Sequence, residues 1–129
     1  MTNPDLEALL DHIKSSKFTE ARLIELIDDR RIPVATLAIR NLVERWGDEP
    51  RIVREVVRRV GSVGWQHKLA GTVSIAHWAL GCMLDCGHTA ARVAANNAIR
   101  DWPETDREDL EWYLNSRGAE SGSEIGDGS

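Results

Sequence analysis

The apolar residues of this chain recur at helical spacing almost from its start. Leu6, Leu9, Leu10 and Ile13 fall at i, i+3, i+4 and i+7, which makes one stripe along a helix. Asn3 supplies an N-cap, and Pro4 takes the first helical position, where a missing N–H costs nothing. Ser15, Ser16 and Lys17 end this helix, and Thr19 caps a second that runs to about Asp29 and buries Leu23, Ile24 and Ile27. Pro33 opens a third, which stops at Trp46 and Gly47. Asp48 is the expected cap of a fourth, in which Ile52, Val53, Val56, Val57 and Val60 face inward while Arg51, Arg54 and Arg58 line the other side.

Gly61 and Gly64 separate this from a fifth helix, expected from about Trp65 to Asp85, with Gly71 and Gly81 as places where it could kink or split. Gly87 closes it as a C′ residue. Thr89 is the expected cap of a sixth helix, whose Ala91, Ala94, Ala95 and Ala98 allow a neighbour to approach closely before the run ends near Trp102 and Pro103. For the seventh, Thr105-x-x-Glu108 reads as a capping box ahead of Leu110, Tyr113 and Leu114. No sustained alternation of apolar and polar residues predicts a strand. The fold class expected is all-α: about seven helices in antiparallel hairpins, forming either a short α-solenoid or an irregular helical bundle. Residues 1–116 make one domain. Residues 117–129, rich in Gly, Ser and acids with Ile125 as their one large apolar side chain, read as a disordered acidic tail.

Charge sharpens this picture. The chain of 129 residues carries a formal −5, unevenly placed. Residues 1–32 hold 5 basic and 7 acidic groups, 33–59 hold 6 and 4, 60–99 hold 2 and 1, and 100–129 hold 3 and 9. A 40-residue middle whose formal charges are Lys68, Asp85 and Arg92 is expected to form the buried centre. The N-terminal residues lack the basic patch and apolar run of a signal peptide, and no stretch reaches the roughly 18 apolar residues of a membrane span. Cys82 and Cys86 stand four apart on one helix, as reduced thiols would. A cytoplasmic protein is expected.

Ala-x-x-Asn-apolar-apolar-x-x-Trp occurs twice, from Ala38 to Trp46 and from Ala94 to Trp102, 56 residues apart, with a looser copy from Ala70 to Trp78. In each outer copy a helix ends at the Trp, a turn follows and a second helix leaves. Over residues 19–116 this resembles the HEAT and armadillo class of α-solenoids, in which stacked helix pairs present a row of helices as a binding surface. The spacings of 32 and 24 residues are shorter than the ~40–47 of that class, which keeps the irregular bundle open. Trp78-Ala79-x-x-Cys82, followed by an alanine-rich helix ending in Trp102, resembles a tract in small bacterial immunity proteins, which neutralise a toxin by binding it. That resemblance implies no catalytic residue.

Chemistry could centre on Cys82, Cys86 and His88, with His77 nearby: a zinc-type site, or a Cys–His nucleophile in a small metal- or thiol-dependent enzyme. The alternative is that the cysteines are small buried hydrophobes. His77 lies nine residues before Cys86, half a turn round the helix, and no P-loop, Gly-x-Ser-x-Gly or His-Glu-x-x-His occurs. Asp28 with Asp29, and the acids from Glu104 to Glu111, read as helix-end charges and solvated faces. No catalytic residue, metal or cofactor is therefore expected.

The arginines say more. Arg51, Arg54, Arg58 and Arg59 form the main cationic feature, with Arg40 and Arg45 as possible extensions, and guanidinium forks suit phosphates or carboxylates. Trp112 lies off the Leu110 face beside Glu108, Asp109 and Glu111, as an exposed anchor would. The expected function is a non-enzymatic protein-binding module whose partner carries an acidic surface, with an immunity or inhibitor role as one version. Nucleic-acid binding through the same arginines is an alternative, which the acidic chain and scarce lysine disfavour.

Overall fold

The computed structural model describes residues 4–15, 17–66, 68–70 and 73–126, the last ten by backbone alone. The described residues form helices α1 (Pro4–Lys14), α2 (Glu20–Leu26), α3 (Ile32–Trp46), α4 (Pro50–Val57), α5 (Ile75–Asp85), α6 (Thr89–Arg100) and α7 (Glu104–Gly126). The all-α class holds, with one small exception between α4 and α5. There the chain makes a 3-10 turn (Gly64–Gln66) and an antiparallel pair, β1 (Lys68–Ala70) and β2 (Val73–Ser74). The expected fifth helix therefore starts ten residues late, at Ile75. From there it runs unbroken through Gly81, while Gly71 lies outside the described residues.

The helix starts follow local chemistry, with three corrections. Thr19 caps α2 as expected, accepting from the Arg22 N–H at 3.3 Å. Glu49, not Asp48, is the N-cap of α4, because Pro50 fixes the first helical residue one place later. His88, not Thr89, precedes α6. Thr105 lies inside the first turn of α7, so it cannot cap the helix. A capping box does exist, but at α5: Ser74 Oγ accepts from the His77 N–H, and the His77 ring takes the Ser74 N–H in place of the usual Glu or Gln. Gly87, at φ 84°, supplies the left-handed residue after α5. α7 continues to Gly126, into the segment that composition assigned to a loose tail.

Packing sorts the helices into two rows. α1 packs on α3, α3 on α5 and α5 on α7, while α4 packs on α6 in a second row. Arg51 of α4 pairs with Glu20 at the start of α2, which brings α2 beside α4. The rows meet through α2 on α3, α3 on α4 and α5 on α6. Between them lie Leu23, Ile27, Ile39, Leu42, Ile52, Val56, Leu80 and Met83, all at most 1% exposed. Burying a side chain of this size contributes about 1.5–3 kcal/mol.

The low-charge middle is only half buried. α5 hides nearly every residue from Ile75 to Leu80, but α6 buries just Ala91 and Ala95 and turns Arg92, Val93, Asn96 and Asn97 to solvent. A helix with few charges can still face water through Asn and single Val or Ala residues, which is why charge alone misplaced it.

Polar ties bind each hairpin to the next. The Arg45 guanidinium donates to Phe18 O at 2.7 Å, and the Trp78 indole N–H to Thr36 O at 3.0 Å. Trp65 Nε1 donates to Ile27 O at 3.2 Å, and Arg59 pairs with Asp28 at 2.8 Å. The two copies of the Ala-x-x-Asn motif sit in different surroundings. Asn41 is buried and Asn97 exposed; Trp46 lies under the Arg45 guanidinium at 4.1 Å, and Trp102 lies against His77 at 4.9 Å between ring centroids.

Candidate protein-binding surface

The amphipathic pattern of α4 places Arg51, Arg54 and Arg58 outward, but their charges are not equally available. Arg51 is paired with Glu20, and Arg58 donates to Glu55 at 2.7 Å. The Arg54 guanidinium makes no ion pair or hydrogen bond among the described residues. Arg59 leaves the surface altogether. It lies just past α4, is 7% exposed, and is clamped between Asp28 and Glu55, each at 2.8 Å. This corrects its expected place in the stripe, because residue 59 falls beyond the last helical turn and its side chain folds back between two carboxylates. Arg59 and Arg58 together hold the Glu55 carboxyl below its ordinary range. Arg40 and Arg45 do not extend the stripe either: both belong to α3 of the other row, Arg40 paired with Glu44 at 2.9 Å and Arg45 with Phe18 O.

What the stripe loses there it gains on α6. That helix carries Arg92 and Arg100 and no acid, and it packs beside α4 in the same row. Both arginines are exposed, and the guanidinium of neither makes an ion pair or hydrogen bond among the described residues. Asn96 and Asn97 stand between them, with Val93 beside them at 53% exposure. Arg92, Asn96 and Arg100 recur every fourth residue, so they follow one side of the helix. The absence of any acid in twelve residues was a legible signal of this face. The outward sides of α4 and α6 thus combine Arg54, Arg58, Arg92 and Arg100 with amides and one exposed valine.

Trp112 is 61% exposed, as its offset from the buried Leu110 predicts. It stands on α7, which packs on α5 and β2, so it belongs to the other row from the arginine face. Glu108 and Glu111 beside it are exposed, and Asp109 is half-buried.

The thiols and imidazoles are not brought to one site. Cys82 and Cys86 share a groove of about 230 Å³ with Arg40, Glu44, Trp78, Asp85 and Tyr113, and the Cys86 thiol donates to Met83 O. His88 reaches away to α3: its Nδ1 lies 2.8 Å from Asp48 and its Nε2 2.7 Å from Glu44 O. Both partners are acceptors, so the geometry favours the doubly protonated, cationic form of the imidazole, in which both ring nitrogens donate. Its pKa is raised accordingly, by the Glu44 carbonyl first and the Asp48 carboxylate second.

His77 is the opposite case. It is fully buried, and burial lowers its pKa. Because Nδ1 accepts the Ser74 N–H at 3.0 Å, the ring proton sits on Nε2 and is donated to Asp106 O at 3.1 Å. Asp106 and Asp109 bring carboxylates within 4.8 Å of this ring, a spacing that would suit a metal ion. The imidazole, however, has no lone pair left to ligate one. Ser74 and His77, 2.8 Å apart, also resemble a nucleophile and base, yet both are 0% exposed and no substrate can reach them. The pair is a helix cap.

No family model, no curated protein and no solved structure matches this chain. Among the described residues, no helix is long and apolar enough to cross a membrane.

Proposed function

We propose that this chain is a non-enzymatic protein-binding module that uses the outward face of α4 and α6 to hold an acidic protein surface. The observation that carries the reading is the set of exposed, internally unmatched arginines Arg54, Arg92 and Arg100 on two adjacent helices of a chain whose net charge is −5. Glu20, Asp28 and Glu55 pair with Arg51, Arg58 and Arg59, and none of these carboxylates pairs with Arg54, Arg92 or Arg100. Charge of that kind steers encounter and selects the partner, while Val93 and the arginine stems supply apolar contact. The two rows of helices support a stacked, solenoid-like scaffold for such a surface. An immunity or inhibitor role is a specific form of the same reading, in which the acidic partner is a toxin.

The test is a pull-down from native lysate at physiological salt with the wild type and with an Arg54→Glu, Arg92→Glu, Arg100→Glu variant. Recovery of a partner by the wild type and its loss with the variant is the expected result. Equal recovery by both, or none by either, overturns the proposal. Retarded migration of single- or double-stranded nucleic acid, lost steeply as salt rises, would replace it with the nucleic-acid reading.

A further inference from the structure

The outward sides of α6 and α7 carry opposite charge at the same pitch. On α6, Arg92, Asn96 and Arg100 follow one side in steps of four, a length of about 12 Å along the axis. On α7, Glu104, Glu108 and Trp112 follow one side in the same steps over the same length, with Glu111 next to Trp112. All of these side chains are exposed. The half-buried Asp106 and Asp109 lie on the inner side of α7 with His77, so they take no part in this stripe.

Neither set is neutralised within the molecule. The guanidiniums of Arg92 and Arg100 make no ion pair among the described residues, and neither do the carboxylates of Glu104, Glu108 and Glu111. One charge of the opposite sign stands near each face without cancelling it. Arg107 lies one turn from Glu104 and from Glu111, pairs with neither, and is one cation beside three carboxylates. Asp101 follows Arg100 as the C-cap of α6, about 100° further round the axis and off the Arg92 to Arg100 row. Glu104 and Glu108 stand at i, i+4, a spacing at which like charges destabilise a helix. A cation supplied from outside relieves them.

We infer that a second copy of this chain supplies it, the α6 face of one copy docking on the α7 face of the next. One guanidinium reaches Glu104, the Asn96 amide donates to Glu108, and the other guanidinium lies over the Trp112 ring with Glu111 beside it. Val93, exposed on the same side of α6, and the arginine stems give the indole its apolar contact. The two faces belong to different helix rows, so one copy offers its arginines to one neighbour and its carboxylates to another, and the contact repeats head to tail. The net charge of −5 opposes this only weakly at physiological salt, where fields fade over about 8 Å and the local match decides. Exposed pairs are individually weak, so the assembly forms at high protein concentration and dissolves as salt rises. The contact rests on the reading of the α4–α6 face, to which it adds the partner.

Sedimentation velocity over a concentration series, at low and at high salt, tests it. The wild type is expected to grow past the dimer at low salt and to return to the monomer at high salt. Arg92→Ala with Arg100→Ala blunts one face, and Glu104→Gln with Glu108→Gln and Glu111→Gln blunts the other; each variant alone should be monomeric. Mixed in equal amounts they should form a one-to-one dimer and nothing larger, because each retains the face that the other lacks. Trp112→Ala, which leaves every charge in place, should weaken wild-type association about tenfold. A wild type that is monomeric at millimolar concentration in low salt, association left unchanged by any of these variants, or a mixture that stays monomeric would each overturn the assignment. A monomeric wild type that still captures a lysate partner through Arg54, Arg92 and Arg100 overturns the self-pairing alone and leaves the α4–α6 reading in place. Every substituted side chain is exposed, so the variants keep the fold.

Discussion

His88 occupies the space that a side chain on residue 47 would need: a Cβ added to Gly47 would lie 2.7 Å from His88 Cδ2 and 3.0 Å from His88 Cβ. The same Cβ would come within 2.6 Å of Val43 O, so the backbone leaves it no room on that side either. The turn after α3 and the turn after α5 are thus fitted to each other, and the fit lets the imidazole reach Asp48 and Glu44 O. Gly47→Ala should lower stability by about 1–3 kcal/mol, the usual range for overpacking. Urea unfolding would show it as a lower midpoint at unchanged slope.

The charge on His88 makes part of the stability depend on pH. Its folded pKa is raised above the ordinary 6.5, so the proton binds more tightly in the folded chain. The contribution is complete below the unfolded value and is lost as pH rises through the raised folded value. His77, lowered from 6.5 by burial, works the other way and favours folding above the unfolded value. His88→Gln should therefore cost most at acid pH, and the gap in Tm between wild type and variant should narrow as pH rises past neutrality. A gap independent of pH would contradict the cationic assignment.

Arg59 and Arg54 lie five residues apart yet should behave differently. Removing Arg59 leaves Asp28 and Glu55 facing each other without their shared partner, beside an emptied buried space. Because both carboxylates are partly exposed, the loss from Arg59→Ala is moderate, about 1–3 kcal/mol. Arg54→Ala should stay within about 0.5 kcal/mol of wild type. Chemical denaturation of the two variants side by side checks the contrast.

The Ser74–His77 cap also has a measurable worth. Ser74→Ala removes the hydroxyl that accepts the His77 N–H and should cost about 0.5–2 kcal/mol. If the pair served catalysis and not folding, thermal melting of the variant would be unchanged.

Much of this fold was legible. Apolar spacing located Leu23, Ile27, Ile52 and Val56 in the core, and the offset of Trp112 from Leu110 correctly put it in solvent. What the sequence withheld was pairing over distance. Nothing local to Arg59 shows that Asp28 lies 31 residues back waiting for it, so a fourth arginine in a row reads as surface. The β hairpin was missed because Lys68 to Ser74 is too short for alternation to show and contains few β-branched residues. His77 reads as a ligand in sequence since a capping box normally ends in Glu or Gln, and only the ring geometry reveals the substitution.

The arginine face on α6 was also partly readable. Twelve residues with two arginines and no acid carry that signal, but the same shortage of charge argues for burial. Only the packing of Ala91 and Ala95 inward decides between the two.

Arg45, Arg59, Trp65 and His88 each clasp a neighbouring segment, and none of these clasps spans the length of the molecule. Two of them, from Arg59 and Trp65, close on the same short stretch at the end of α2, so that stretch is gripped from two sides at once.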